Sequence, residues 1–213
     1  MLLHGLSAST HWWRSTVEAL EPAYDVHVVR LAGMPYAEAA VSLRDWLARE
    51  TDGGATLVGH SMGGAVALLT AARNPENVAR LALIAPAGLF ATRRRRTYVV
   101  PVLRSLGATP ARIAPAAWDA ARLGPLRLWR VATDLLSCDL APLLAGVHVP
   151  TLLLWGADDR ILPPSLAQEF QAQLPDSRLV FLENCGHVPM LEAPEALNAE
   201  LRRFLEERAD EPG

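Results

Sequence analysis

The sequence predicts an α/β fold in which a mostly parallel sheet has helices on both faces. Short apolar segments alternate with longer alanine-rich or amphipathic segments along much of the chain, which is the pattern of strand and helix in turn. A Gly-x-Ser-x-Gly pattern joins one of these strands to the next helix. Two later strands run into loops that carry an acid and a histidine.

The predicted elements follow in order from these apolar runs. Strands are expected at about residues 1–4, 24–30, 55–60, 80–85, 150–155 and 178–182. Helices are expected at about Trp12–Leu20, Ala37–Glu50, Met62–Arg73, Ser165–Gln173 and Pro194–Arg208. Each boundary holds to within a few residues.

Composition favours one globular enzyme domain. A chain of 213 residues with 51% hydrophobic content can bury a large core. No apolar stretch reaches the roughly 18 residues of a membrane-spanning helix, and Met1 runs directly into the His4-Gly5 loop without the core of a signal peptide. We therefore expect a cytoplasmic protein without stable membrane insertion.

The most informative segment is residues 57–64, which read Leu-Val-Gly-His-Ser-Met-Gly-Gly. A serine at such a sharp strand-to-helix turn forms a nucleophile elbow, where side chains at Gly59 and Gly63 would collide with the turn or the adjoining strand. The hydroxyl of Ser61 then projects from the sheet, and the amide of Met62 at the helix N-terminus is placed to stabilise an oxyanion. A serine before an apolar helix is also a common N-cap, so this motif alone leaves a structural interpretation open.

The partners that a serine nucleophile needs follow later in the chain. A short apolar strand ends at Asp158 and Asp159, and a second one leads to His187. A serine hydroxyl needs an imidazole to take its proton and a carboxylate to orient the imidazole and stabilise its cation. The order serine, acid, histidine therefore points to nucleophilic catalysis.

These motifs resemble those of the α/β-hydrolases, the large group of serine esterases, lipases and peroxidase-like hydrolases. The matching segments span nearly the whole chain and comprise His4-Gly5, residues 59–64, residues 156–159 with Pro163, and residues 186–189 with Glu192 and Pro194-Glu195. The resemblance implies that Asp159, three residues after the glycine that closes its strand, is the catalytic acid in preference to Asp158. It also implies that His187 is the catalytic base and that Leu6 supplies the second oxyanion amide.

The remaining histidines and both cysteines receive structural interpretations. His4 is expected to organise the oxyanion loop, and structural or surface roles are expected for His11, His27, His60 and His148. Cys138 and Cys185 lack the spacing of metal ligands, and Cys185 is expected to be a small packing residue. No metal or organic cofactor is expected.

The strand–helix alternation is interrupted between about residues 85 and 150. By the resemblance, residues 87–149 form a helical cap inserted into a hydrolase core of residues 1–86 and 150–213. This segment carries nine arginines against three acids, a net charge of +6, whereas the whole chain has −3. A basic cap could steer anionic substrates or rest on anionic lipid. A solvated face is the simpler interpretation of the Arg93–Arg96 run, because the chain has no lysine and all its basic residues are arginine.

The chain departs from the resemblance at its start, because such hydrolases carry one or two antiparallel strands before the strand that leads into His4-Gly5. Either this is a minimal version of the fold whose strand at 24–30 lies at a sheet edge, or the chain lacks an N-terminal hairpin that its relatives possess. Exposed edges favour association. We expect reduced stability or pairing with another chain, so a homodimer is plausible.

The expected function is hydrolysis of a small-molecule carboxylic ester, as in a carboxylesterase or lipase, through an acyl-enzyme on Ser61. Thioesterase, perhydrolase and C–C bond hydrolase activities share the same triad and remain alternatives, as does a non-catalytic member of the fold that binds a ligand. The net negative charge and the lack of a recognition motif argue against a nucleic-acid partner.

Overall fold

Six parallel strands form one sheet in the computed structural model, which describes residues 1–6, 9–31, 33–51, 54–89, 122 and 124–207. The strands are β1 (Leu2–Leu3), β2 (Val28–Val29), β3 (Ala55–His60), β4 (Val78–Ile84), β5 (Thr151–Gly156) and β6 (Ser177–Leu182). Their order across the sheet is β2-β1-β3-β4-β5-β6, and every neighbouring pair is parallel. The predicted parallel α/β fold is confirmed.

Helices fill the connections between these strands. The α-helices of the described part are α1 (Arg14–Leu20), α2 (Tyr36–Glu50), α3 (Met62–Arg73), α4 (Pro125–Leu136), α5 (Ala141–Leu144), α6 (Ser165–Gln171), α7 (Pro189–Glu192) and α8 (Pro194–Glu206). Short 3-10 helices precede α1 at Thr10–Trp13 and follow α3 at Pro75–Asn77.

The sheet separates two apolar cores because successive side chains of a strand point to opposite faces. Leu57 of β3 packs into the core that also contains residues of α2, α3 and α6, whereas its neighbour Val58 packs into the core with residues of α8. The same alternation divides Leu153 from Leu152 on β5. Helices therefore cover both faces, and near-continuous apolar strands such as β5 are buried along their whole length.

The strand expected over residues 24–30 is the one element that is much shorter than predicted. Only Val28 and Val29 pair, because their partner β1 offers only Leu2 and Leu3 in register. Among the described residues β2 is the last strand on its side of the sheet, as the sequence predicts.

The inserted segment lies partly outside the described residues. Of the predicted cap over 87–149, residues 90–121 and 123 are outside, including the run Arg93–Arg96, and the cap assignment stays a prediction. The described helix α4 contacts the body through Asp134, whose Oδ2 accepts a hydrogen bond of 3.0 Å from the amide of Tyr36 at the start of α2. No helix within the described ranges is long and apolar enough to cross a membrane.

Candidate active site

Ser61 sits at the turn between β3 and α3 in a strained backbone conformation. Its φ is 51° and its ψ is −114°, a region that residues with a side chain rarely adopt. The amide of Ser61 donates a hydrogen bond of 3.0 Å to the carbonyl of Ile84, and the carbonyl of Ser61 accepts one of 3.0 Å from the amide of Ala87. The end of β4 therefore holds the strained turn on both sides.

The glycines around Ser61 are required by close backbone approach. A Cβ added to Gly59 would lie 2.7 Å from the Cα of Gly64, and one added to Gly63 would lie 2.7 Å from the carbonyl oxygen of His4. Both positions fall inside van der Waals contact with backbone atoms that cannot turn aside as a side chain could. Glycine is therefore required at position 59 by the contact with α3 and at position 63 by the contact with the end of β1.

Ser61, His187 and Asp159 lie in one hydrogen-bonded chain. His187 Nε2 is 3.2 Å from Ser61 Oγ, and His187 Nδ1 is 2.7 Å from Asp159 Oδ2. The Asp159 side chain is fully buried, while the His187 side chain keeps 11% of its surface exposed. The three residues come from the ends of β3, β5 and β6, since the carboxyl ends of parallel strands meet at one edge of a sheet.

The surroundings of Asp159 orient its carboxylate toward His187. Oδ1 accepts hydrogen bonds from the amides of Ile161 at 2.8 Å and Leu162 at 2.9 Å, which leaves Oδ2 to accept the proton on His187 Nδ1. In the neutral imidazole Nε2 then carries a lone pair and faces the Ser61 hydroxyl. The neighbouring Asp158 is exposed to solvent, so the structure places Asp159 and not Asp158 against the histidine.

Glu192, for which the sequence predicts no role of its own, binds the backbone of the loop that carries His187. Its Oε2 accepts a hydrogen bond of 3.0 Å from the amide of Gly186, and its Oε1 accepts one of 2.9 Å from the amide of Val188. A Cβ on Gly186 would lie 2.9 Å from Oε2, so glycine makes room for this carboxylate. The two backbone amides that flank His187 are therefore held by one side chain.

His60, expected to be structural or on the surface, is buried beside His187. Only 2% of its surface is exposed, and its ring centroid lies 5.0 Å from that of His187. Sequence reasoning missed this contact, because the two residues are 127 positions apart. Its position directly before Ser61 is the one signal that could have indicated it.

The loop that begins with His4-Gly5, from which the sequence predicts an oxyanion amide, passes next to the elbow. The amide of Leu31 donates a hydrogen bond of 3.2 Å to His4 Nε2, so Nδ1 carries the proton and donates to the Gly5 carbonyl at 2.8 Å. A Cβ on Gly5 would lie 3.2 Å from Ser61 Cβ, which places this loop against the serine. Leu6 follows it, and Met62 is the first residue of α3.

The other singled-out residues lie away from this constellation or are inert within it. His11, His27 and His148 are exposed. Cys138 and Cys185 are buried free cysteines, and burial raises the pKa of the Cys185 thiol to about 12. Among the residues that the structure describes, no group of three histidine, cysteine, aspartate or glutamate side chains could hold a metal ion.

Comparison with known proteins identifies the family to which this arrangement belongs. The sequence profile of the alpha/beta hydrolase family matches residues 1–200. The chain belongs to the α/β-hydrolase family. Its similarity extends to solved structures: an alpha/beta hydrolase from a sediment metagenome of the Mar Chica lagoon in Morocco is 26% identical, with a TM-score of 0.76 over 97% of this chain and 90% of that one.

Three further similar proteins are two curated relatives and one solved structure. A pimeloyl-(acyl-carrier protein) methyl ester esterase of Neisseria meningitidis is 32% identical over 99% of this chain and 78% of the relative, and one of Vibrio campbellii is 26% identical over 96% and 93%. A hydrolase of Oleispira antarctica shares the fold, with a TM-score of 0.81 at 15% identity over 97% of this chain and 90% of that one. The family profile and the esterase relatives confirm the predicted family and enzyme class, a carboxylic ester hydrolase.

Proposed function

We propose that this hydrolase is a serine esterase that cleaves carboxylic esters through an acyl-enzyme on Ser61. The observation that carries the proposal is the unbroken hydrogen-bonded chain from Asp159 through His187 to Ser61, with the Asp159 carboxylate buried at its inner end. A buried carboxylate accepting from Nδ1 fixes the imidazole tautomer whose Nε2 can take the serine proton. The strained elbow supports the proposal, because strain of this kind is typical of functional sites.

In the proposed first half-reaction, Ser61 Oγ attacks the ester carbonyl while His187 Nε2 takes the hydroxyl proton. The imidazolium that forms is stabilised by Asp159, and it then gives its proton to the departing alcohol. In the second half-reaction the same histidine removes a proton from water, which attacks the acyl-enzyme. The acid product leaves and Ser61 regains its proton.

We assign the negative charge on the tetrahedral intermediate to two backbone amides, those of Leu6 and Met62. The support for Met62 is its place at the N-terminus of α3, where helical amides lack partners within the helix and the helix dipole favours an anion. The support for Leu6 is the contact of the preceding Gly5 with Ser61. Loss of one such donor costs about 100-fold to 1,000-fold in kcat in serine hydrolases.

The decisive test compares wild type with Ser61→Ala on p-nitrophenyl esters from acetate to palmitate. A fluorophosphonate probe, which reacts with activated serines, is applied to the same samples. We expect that wild type labels and turns over, and that Ser61→Ala does neither while keeping its circular dichroism spectrum and melting temperature. Ser165→Ala, an exposed serine at the start of α6, is the matched control and should behave as wild type. Retention of most activity by Ser61→Ala would refute the acyl-enzyme.

A second candidate narrows the substrate to the methyl ester of an acyl chain borne on an acyl-carrier protein. Curated relatives 26% to 32% identical are named for that activity. The surface of α4 supports it: Leu126 and Trp129 are 81% and 70% exposed, and Arg127 and Arg130 are exposed beside them. Apolar and cationic side chains together suit a partner with acidic groups around an apolar patch.

This candidate is tested by comparing one acyl methyl ester in free and carrier-linked forms. The carrier-linked ester should have the higher kcat/KM, and Arg127→Ala with Arg130→Ala should lower that value about tenfold while leaving the free ester unaffected. Equal values for both substrates would leave the general esterase and exclude the carrier-dependent one. A parallel assay with acyl thioesters distinguishes the thioesterase alternative.

A further inference from the structure

His60 links three separate segments of the site. It is the last residue of β3 and precedes Ser61 directly. Its ring touches the loop that carries His187, and a Cβ on Gly5 would lie 2.9 Å from its Nδ1. The nucleophile, the histidine and the oxyanion loop thus meet around one buried side chain.

The hydrogen bond of His60 defines which nitrogen carries its proton. Nε2 lies 2.8 Å from the backbone carbonyl oxygen of His187, and a carbonyl can only accept. Nε2 is therefore the donor and Nδ1 is unprotonated. Nδ1 is buried against Gly5 without a hydrogen-bond partner in the described part of the chain.

His60 also stays neutral beside the histidine that must become charged. Burial lowers its pKa from 6.5 to about 3, the nearby His187 and His4 act in the same direction, and the bond to the His187 carbonyl opposes them. A neutral ring does not repel the imidazolium of His187 and does not compete for the serine proton. It can hold the loop without disturbing the proton transfer.

We propose that His60 is a positioning residue that keeps His187 Nε2 in register with Ser61 Oγ. The inference rests on the proposed function, because it concerns the same serine and histidine. The backbone of His60 is joined to Ser61, and its side chain holds the backbone of His187, so one residue spans the gap that the proton crosses. That gap is 3.2 Å in the structure, and misplacement of reacting groups by about 1 Å can cost on the order of 100-fold in rate.

The experiment uses two amide substitutions that differ by one methylene. In His60→Gln the side-chain amide nitrogen can reach the place of Nε2 and donate to the His187 carbonyl, whereas in His60→Asn it reaches only the place of Nδ1. His60→Met removes the donor at similar bulk. His148→Met, at an exposed histidine, is the matched control.

We expect kcat to fall about 10-fold to 100-fold in the Asn and Met variants, with KM within about threefold of wild type, because ground-state binding is unaffected. The rate of Ser61 labelling by fluorophosphonate should fall in parallel. His60→Gln should recover most of kcat and of the labelling rate, and His148→Met should match wild type. Circular dichroism and melting temperature establish that each variant is folded.

Several results would overturn the proposal. If the Asn and Gln variants are equally active, or if kcat stays unchanged while only the melting temperature falls, His60 has a structural role alone. Failure of His60→Gln to fold would lead to the same conclusion. If wild type itself neither labels nor turns over any ester, the proposed function fails first, and the two failures are thereby distinguished.

Discussion

Ser61 and His187, which face each other in the candidate active site, are held by different kinds of interaction. Ser61 is fixed by backbone packing: glycines on either side allow β3, α3 and the start of the oxyanion loop to touch. His187 is fixed by polar side chains that bind the backbone around it. Glu192 accepts hydrogen bonds from the two amides that flank His187, and His60 donates one to the carbonyl of His187. Steric fixation tolerates no added atom, whereas polar fixation can be weakened in steps by removing one hydrogen bond at a time.

The largest expected effect on stability comes from adding one methyl group to the elbow. Gly59→Ala would bring a Cβ to 2.7 Å from the Cα of Gly64, so the turn must open. We expect a loss of at least about 3 kcal/mol in the free energy of unfolding, or insoluble protein. Urea denaturation measures this. Gly146→Ala is the control, since its nearest neighbour would be an ordinary 3.5 Å away, and equal stability of the two variants would contradict steric fixation.

Asp159→Asn should remove catalysis while sparing the fold. The amide cannot favour the imidazole tautomer that the carboxylate selects, so kcat should fall about 1,000-fold to 10,000-fold. Asp158→Asn, one residue earlier and exposed, should retain wild-type kcat. Steady-state kinetics on the preferred ester decides, and equal effects of the two substitutions would argue against the assignment of Asp159.

Glu192→Gln tests the polar fixation of the histidine loop by a smaller step. Both carboxylate oxygens accept from backbone amides, and the new amide group would turn a donor toward one of these N–H groups. We expect kcat to fall about tenfold and stability to fall by about 1–2 kcal/mol. The matched control is Glu195→Gln, an exposed glutamate in α8. An unchanged kcat would show that the loop is positioned without Glu192.

The last expected effect is a pH dependence of stability due to His60. The folded protein holds the pKa of this buried histidine at about 3, below its ordinary 6.5, with His187 and His4 as its titratable neighbours. The unfolded chain therefore binds more protons between those pH values, and stability present above about pH 6.5 is lost as the pH falls.

The slope attributable to His60 cannot exceed about 1.4 kcal/mol per pH unit. Chemical denaturation at pH 7.0, 6.0 and 5.0 should show the wild type losing stability faster than His60→Gln over this interval. Parallel losses in the two proteins would mean that His60 does not couple to folding through its proton.

This difference also explains what could be predicted from the sequence. The elbow was predictable because the glycines that its close packing requires stand next to Ser61 in the sequence, within Gly59 to Gly63. The strand ends indicated where the acid and the histidine lie, and the resemblance to the α/β-hydrolases selected Asp159 over Asp158 and pointed to His187. The hydrogen bonds from His60 and Glu192 to the backbone around His187 were not predictable, because a hydrogen bond to a backbone group leaves no residue pattern at the partner.

The length of an element is a further limit on prediction. The apolar character of residues 24–30 predicts a strand, but only Val28 and Val29 pair, because the length of a strand depends on what its neighbour offers. The sequence likewise indicated an insertion before β5 without placing α4, whose Asp134 binds the amide of Tyr36 at the start of α2.

The sheet order carries one practical consequence. Ser61 and His187 are 126 residues apart in sequence and lie at the ends of β3 and β6, with β4 and β5 between them. Under the proposed mechanism, Ser61 is therefore activated only in molecules in which β6 has docked. Partly folded or truncated forms would keep the complete elbow yet leave the serine unreactive, so the fraction of protein that takes a fluorophosphonate label would count the fully assembled molecules in any preparation.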